Sequence, residues 1–521
     1  MSLSNKSTSQ AKLVAVIGAG ASGLTTIKSL KEEGFYVVCY EKTDDLGGLW
    51  KYRDEEIEGV ASIMKNTVSN ISKELMAFSD FPPPKAFPNF MSHKYVLKYL
   101  EKYAEAFDLL RHIKYRHEVI RVLPTADNYR TGRWEVTIKD NAKNRILVEV
   151  FDGVAVCVGR YGFPKIPNFN SLETFKGKVL HTHNIKSFEQ FKDQRVLIIG
   201  SGNSGADAAV NLSAVADEVY LSSRQGTWVV QRPGPKGLPA DLNFNRRIVN
   251  AAFQKFPKKL IFWYLEKQVN KNFNHNTYYL KPSHRFMTKR PTINDHLASK
   301  FLSGDVILKG SVKHFTEKGV VFRGENEVTN FDVVIMATGY QLKVPFLNDI
   351  IFQVIGDHVP LYKHVFPPHL SIPSMAVIGM TQVFGSLLPV SEMQARWFAN
   401  VLSNKVPFPD KGDIINDITL NSERETRLLH SSARNCMQVF SIPYLDELAE
   451  LIGAKPNFRK MFLRDPKLSW ECVMGPCLPY QYRLEGPHPW IGARDAILNY
   501  KERILAPLRT RYEARQPFVN T

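Results

Sequence analysis

Leu13-Val14-Ala15-Val16-Ile17-Gly18-Ala19-Gly20-Ala21-Ser22-Gly23 is the stretch that decides the fold. A short, continuous apolar run, as a strand buried on both faces of a parallel sheet requires, enters glycines spaced G-x-G-x-x-G. Helix-like sequence follows over 24–33, Gly34 stops it, and a second strand over 36–40 ends at Glu41. Each glycine has a mechanical reason. Gly18 permits the tight turn, Gly20 lets backbone approach a pyrophosphate, and Gly23 allows close helix–strand packing. The pyrophosphate is then expected to meet the free N–H groups and the positive end of the helix. Glu41 stands 21 residues past Gly20, where a carboxylate accepts ribose hydroxyls and repels a 2′-phosphate, so this cradle suits FAD or NAD. Downstream, Gly47-Gly48-Leu49-Trp50 pairs two glycines with an indole, and Gly48, Leu49 and Trp50 are the expected wall of a flat cofactor.

The pattern repeats. Arg195-Val196-Leu197-Ile198-Ile199 enters Gly200-Ser201-Gly202-Asn203-Ser204-Gly205, helical composition follows over 206–212, and a strand over 218–221 leads to Ser222-Ser223-Arg224. Arg224 stands 22 residues past Gly202, so hydroxyls and a cation replace the acid. Guanidinium and hydroxyl donors suit a 2′-phosphate, so the second cradle is expected to take NADP(H) through Gly200, Gly202, Asn203, Ser204, Gly205, Ser223 and Arg224. Two more strand-like runs, 153–159 and 332–340, end in or beside glycine. The simplest organisation is an α/β chain with two Rossmann-like dinucleotide-binding domains, the NADP domain inserted in the FAD domain. The expected parts are the FAD domain over 1–168, the NADP domain over 169–330, the FAD domain again over 331–450, and a C-terminal segment over 451–521 packed on it. In this organisation the strand within 331–340 returns the chain to the FAD domain and brings Thr338 and Gly339 to the cofactor.

Length, composition and cysteine usage bound the function. At 521 residues about three domains are expected as a prior. With 44% hydrophobic and 23% charged residues the chain is an ordinary globular protein, not a disordered one. Residues 1–12 are polar without an apolar core, so no secretory signal is expected, and no run reaches the roughly 18 apolar residues of a spanning helix. Five cysteines are too sparse for a disulfide scaffold. Cys39 and Cys157 lie far apart in sequence within core strands, Cys436 has no near neighbour, and Cys472 and Cys477 look structural, so a dithiol exit for electrons is unsupported. No His/Cys cluster has metal spacing, so no metal is expected. Oxygen remains as the exit from a reduced flavin, giving a C4a-hydroperoxide that needs shelter from water and neutral hydrogen-bond donors.

At these residues the chain resembles the flavin-containing monooxygenases, FAD- and NADPH-dependent N- and S-oxygenases, over about 12–508. Phe175-Lys176-Gly177-Lys178-Val179-Leu180-His181 looks like the class signature FxGxxxH, with Ile185 where the family carries an aromatic. His181 is read either as part of an inter-domain hinge or as a satisfied structural histidine. The segment Ser69-Asn70-Ile71-Ser72-Lys73-Glu74-Leu75-Met76 is similar to the family's active-site segment, and Met64 stands where many relatives have tyrosine. The stretches around Arg290, Phe366, Gln382 and Trp397 are also family-like. The resemblance implies FAD contacts from Gly18 to Ser22, Glu41, Leu49, Trp50, Asn70 and Ile71, with Gln382 beside the flavin. It implies NADP contacts from Ser69, Asn70, Ser204, Gly205, Ala206, Asp207 and Arg224. Asn70 would touch both cofactors and support the hydroperoxide as the catalytic residue. The implied substrates are tertiary amines and sulfides, oxygenated with O2, with Baeyer–Villiger oxygenation of ketones or peroxide-producing NADPH oxidation as alternatives and xenobiotic metabolism as the setting.

The net charge is +17. Residues 245–290 hold eleven Lys/Arg against Glu266 alone, interleaved with Val249, Ala252, Phe253, Phe256 and the run Leu260-Ile261-Phe262-Trp263-Tyr264-Leu265. Basic residues flanking aromatic and aliphatic ones suit an interfacial helix on an anionic leaflet better than nucleic acid, for which no recognition motif is present. The expected basic insertion spans about 226–290. The resemblance implies peripheral attachment at the cytosolic face of the endoplasmic reticulum, with a cytoplasmic location second, and leaves a homodimer open.

Overall fold

The computed structural model describes residues 11–355, 359–428 and 437–510. The expectations on Cys436 and on residues 1–10 and 511–521 fall outside them.

Two five-stranded parallel sheets carry the architecture. In the first, Leu13–Ile17 lies between Tyr36–Glu41 and Gly153–Val156, with Ile113–Tyr115 and Met375–Val377 at the edges. In the second, Arg195–Ile199 lies between Glu218–Ser222 and Val333–Met336, with Ile307–Lys309 and Lys178–His181 at the edges. Val14, Ala15 and Val16, and likewise Val196, Leu197 and Ile198, are fully buried. That is why these strands are continuous apolar runs and not alternating ones. Parallel neighbours need a crossover, and the helices Ala21–Glu32 and Asn203–Leu212 supply it directly after the glycines.

One expectation is overturned. The strand within 331–340 does not join the first sheet: Val333–Met336 pairs with Arg195–Ile199 on one side and Lys178–His181 on the other. The chain returns to the first sheet later, with Met375–Val377 beside Gly153–Val156. A fully buried apolar run satisfies either sheet, and its partner strands decide. Thr338 and Gly339 therefore stand at the end of a second-sheet strand, and a boundary at 330 cuts that sheet. The two units are built alike. An added Cβ on Gly18 would lie 2.9 Å from Cys157 O, and one on Gly200 would lie 2.5 Å from Ala337 O. In each sheet the end of a neighbouring strand abuts the first glycine of the turn.

The wholly buried face of Leu387–Leu402 packs on Ala21–Glu32 behind the first cradle. The segment after residue 451 is tied there by charge. Buried Arg483 reaches Asp80 at 3.0 Å, Glu392 at 3.2 Å and Glu32 at 3.5 Å, while Lys28 contacts Asp80 and Glu32, each at 2.6 Å. Burial works against the Asp80 carboxylate, but Arg483 and Lys28 outweigh it and hold its pKa below the ordinary value.

The basic stretch forms two helices, Arg247–Lys255 and Lys258–Asn272. The second buries none of its residues. Phe253 does not join an outward stripe: it packs on Phe262 and Phe440, whereas Val249 and Phe256 face outward. Among the described residues, no helix is long and apolar enough to cross a membrane.

Candidate functional site

Both glycine turns leave a helix start open. Gly20 and Gly202 precede their helices without a side-chain cap, and the first amides to find carbonyl acceptors are Leu24 N on Gly20 O and Ala206 N on Gly202 O. The amides before them remain available to an anion, backed by the positive end of the helix dipole. A Cβ on Gly202 would meet nothing within 4 Å, so the second cradle opens on free space. In the first, a Cβ on Gly48 would come 3.1 Å from Gly20 Cα, so the wall Gly48-Leu49-Trp50 lies directly over the turn. Gly47 adopts φ 107° and donates its N–H to Ala19 O, which fixes that wall. The loop after Met375–Val377 closes in from the other side, since a Cβ on Gly379 would lie 1.9 Å from Ser22 Oγ. This brings Gln382 to the same end of the sheet, its N–H held by Met437 O.

Glu41 is buried at the end of its strand. It accepts from Ala19 N at 2.7 Å through Oε2, and from Thr43 N at 2.9 Å and Thr43 Oγ1 at 2.8 Å through Oε1. The carboxylate is locked against the glycine turn with lone pairs to spare for ribose hydroxyls. At the matching place in the second unit, Arg224 is exposed and has no hydrogen bond or ion pair among the described residues. Ser223 Oγ lies 2.7 Å from Ser201 Oγ at the cradle's rim, while Ser222 Oγ turns away to Gly310 O. A fixed carboxylate at one cradle and a free guanidinium at the other fit FAD and NADP(H) respectively.

Several sequence-predicted contacts have structural duties. Ala206 is fully buried and its N–H is used. Asp207 Oδ1 accepts from Asn294 Nδ2 at 2.9 Å, and burial pushes its pKa up to about 6 against the pull of Arg232. Asn203 Oδ1 accepts from Ile293 N at 2.7 Å. Ser69 Oγ accepts from Ile71 N and donates to Ile71 O, which shapes the turn that presents Asn70. Thr338 Oγ1 donates to Lys165 O, and Gly339 O accepts from His181 Nε2 at 3.0 Å. With Nδ1 accepting from His183 N, both ring nitrogens of His181 are satisfied, and burial pushes its pKa down to about 4. It is a neutral structural histidine at the crossover between the sheets. The two departures from the family pattern, Met64 and Ile185, lie in one buried cluster of the second unit.

Asn70 is held by a residue with no sequence signal. Arg232 Nη2 donates to Asn70 Oδ1 at 2.7 Å, and Nε donates to Ser69 O at 3.2 Å. Asp295 fixes the guanidinium, accepting from Nη1 at 2.8 Å and from the Arg232 amide at 2.7 Å. With Oδ1 occupied by a cation, the free Asn70 Nδ2 is a directed donor. Arg232 sits in a Pro/Gly loop of the basic insertion, and its reach to residue 70 crosses 162 positions that no spacing rule covers. Cys39, Cys157, Cys472 and Cys477 are free and buried, and burial pushes the thiols of Cys157 and Cys472 up to about 12, so none supplies a thiolate. No metal-holding cluster occurs among the described residues.

Two glycine cradles of opposite charge preference, each on its own parallel sheet, are the framework of a flavin- and pyridine-nucleotide-dependent oxidoreductase. Residues 11–520 match the family model described as Flavin-binding monooxygenase-like. The chain is 42% identical over 506 residues to Flavin-containing monooxygenase 5 of Rattus norvegicus, covering 97% of this chain and 94% of that protein. It is 41% identical over 503 residues to Flavin-containing monooxygenase 2 of Homo sapiens, covering 96% and 94%. Among solved structures it is similar to the S-allyl-L-cysteine S-oxygenase of Allium sativum, with TM-score 0.64 and 26% identity over 94% of this chain and 99% of that one. A cyclohexanone monooxygenase shares the fold at TM-score 0.61 and 20% identity, covering 85% and 98%. The chain belongs to the flavin-binding monooxygenase family, and it is an FAD-containing, NADPH-dependent monooxygenase.

Replacing Glu41 by Ala removes the acceptor that anchors the turn, at the place expected to meet the ribose. Loss of hydrogen bonds to a charged group, about 1.5–3 kcal/mol, should weaken FAD retention roughly ten- to hundredfold, measured by flavin fluorescence after gel filtration. Unchanged retention would remove Glu41 from the cofactor site.

Proposed function

We propose that FAD lies in the first cradle and NADPH in the second, its 2′-phosphate against Arg224 and Ser223, and that Asn70 serves both at their meeting point as the catalytic residue. The substrates in this reading are tertiary amines and sulfides. The bound flavin supplies hydride acceptance from NADPH and the reaction with O2. The chain's part is positional. The helix amides bind the pyrophosphates, Gly48-Leu49-Trp50 and the loop at Gln382 flank the flat ring, and Asn70 Nδ2 donates a hydrogen bond where negative charge develops on oxygen. The carrying observation is Arg232 Nη2 on Asn70 Oδ1 at 2.7 Å, which aims a neutral donor and not an acid. Soft nucleophiles need no proton removed before attack, so a donor without a partner base suffices.

We also propose peripheral attachment to an anionic leaflet, with the cytosolic face of the endoplasmic reticulum as the site. It rests on the helix Lys258–Asn272, where Leu260 is 61% and Trp263 58% exposed, and on Phe256 at 62% beside it. Lys255, Lys258, Lys259 and Lys267 are exposed around them. Apolar side chains at the acyl boundary with lysines at the headgroups is the arrangement of an interfacial helix.

Four outcomes test these readings. Arg224→Ala should raise KM for NADPH at least about tenfold while changing KM for NADH little, because a charge-assisted phosphate contact is worth about 1.5–3 kcal/mol; equal changes refute the phosphate role. Offered a sulfide and an aliphatic ketone, the enzyme should form sulfoxide, and Asn70→Asp should divert most NADPH electrons to hydrogen peroxide. Lactone or ester without sulfoxide would sink the substrate assignment, and unchanged coupling would clear Asn70. Combined Phe256→Ser, Leu260→Ser and Trp263→Ser should abolish flotation with anionic vesicles; undiminished flotation rejects this surface.

A further inference from the structure

We propose that Asp241, on the basic insertion, is a positioning residue that clamps the catalytic segment at the end away from Arg232's contacts and so sets the placement of Asn70. Ser72 N donates to Asp241 Oδ2 at 2.7 Å, two residues beyond Asn70. Arg232, nine residues earlier on the same insertion, holds Ser69 O and Asn70 Oδ1. The segment 69–72 is thus gripped at both ends by one short stretch of chain belonging to the other nucleotide unit. The grip is seated in apolar packing. Leu242, adjacent to Asp241, is buried in a cluster with Leu75 and Ala77 of the catalytic segment, and Ile71 and Leu238 pack against it.

The insertion is itself anchored. Asn245 O accepts from Cys477 N at 2.7 Å, and Arg247 donates to Gln481 at 2.9 Å and to Tyr482 at 3.1 Å, with Asp446 at 2.5 Å. These contacts fix the chain four and six residues after Asp241. A donor must be placed within about 0.5 Å to be useful in a site, and such placement comes from packed supporting residues. An acceptor fixed by a folded insertion supplies it where the segment's own turn ends, at Ser72.

This inference rests on the function proposed for Asn70, and its test separates the two. Hydrogen exchange of the segment 65–76 is followed in the FAD-loaded protein and in its Asp241→Ala and Asp241→Asn variants. Asparagine retains a carbonyl acceptor and alanine does not. Asp241→Ala should speed exchange at Ser72 at least about fivefold and raise the share of NADPH electrons released as peroxide, with kcat for sulfoxidation falling and KM for the sulfide little changed. Asp241→Asn should restore both. Ser72 has φ −66°, a value proline adopts, so Ser72→Pro deletes the donor from the other side; it should reproduce the uncoupling even if Asp241→Ala does not fold. Unchanged exchange in Asp241→Ala, or full coupling in Ser72→Pro, overturns the clamp. If the parent protein is not bleached by NADPH, the flavin monooxygenase reading fails, while the exchange arm still decides the clamp.

Discussion

The molecule depends on a backbone contact that only glycine permits, made twice. A Cβ on Gly23 would lie 1.8 Å from Gly18 O, and one on Gly205 would lie 1.8 Å from Gly200 O. Each helix therefore closes directly on the strand end before it, and its first amides project past the sheet instead of into it. The partners in both contacts are backbone atoms, which cannot swing aside, so a methyl there would exceed the about 1–3 kcal/mol of ordinary overpacking. The rest follows from this geometry. The neighbouring strand ends at Cys157 and Ala337 abut the turns, Gly48 and Gly379 close over the first, and the second stays open.

Charge is distributed according to burial. The surplus of +17 is not one surface. Arg247 belongs to the basic stretch by sequence, yet its side chain turns inward to Asp446. Arg483 sits among Asp80, Glu392 and Glu32 behind the first cradle. Buried pairs of this kind add little net stability, but losing one partner costs about 3–5 kcal/mol, so they hold the C-terminal segment in register more than they strengthen it. The lysines around Trp263 remain in water, and there the charge is available to a partner.

Local chemistry was legible in the sequence and long-range pairing was not. Both glycine turns, the acid at Glu41 and the cation at Arg224 follow from spacing, because strand, turn and helix are contiguous and each residue answers a local demand. The strand within 331–340 shows where such reasoning ends. Its burial is right and its sheet is wrong, since hydrophobicity records that a strand has two covered faces but not which strands lie beside it. Met64 likewise packs into the second unit from a segment that sequence order assigns to the first. Arg232 lies in a loop rich in Pro and Gly and Asp241 opens the short helix Asp241–Phe244 after it, and only folding brings them to residues 69–72.

The same burial that forms the two cores decides what chemistry the site can do. Desolvation disfavours charged forms. It pushes His181 and His275 down to about 4 and raises the Cys39 and Cys157 thiols and the Tyr99 and Tyr444 phenols above their ordinary values. Arg232, beside Asn70, is paired with Asp295. At the segment 69–72 the carboxylate shifted towards neutrality is Asp241, pushed up to about 6 by burial, and its Oδ2 is occupied by Ser72 N at 2.7 Å. A reaction that needs an intact donor, fixed in direction and unable to protonate a leaving group, finds Asn70 Nδ2. With Arg232 on its oxygen, the amide cannot flip without giving up a charge-assisted hydrogen bond, roughly twice as strong as a neutral one. The role proposed for Asn70, stabilising a reactive oxygen species without hastening its loss as peroxide, asks for that combination, a donor made directional by a cation behind it and kept neutral by its own chemistry.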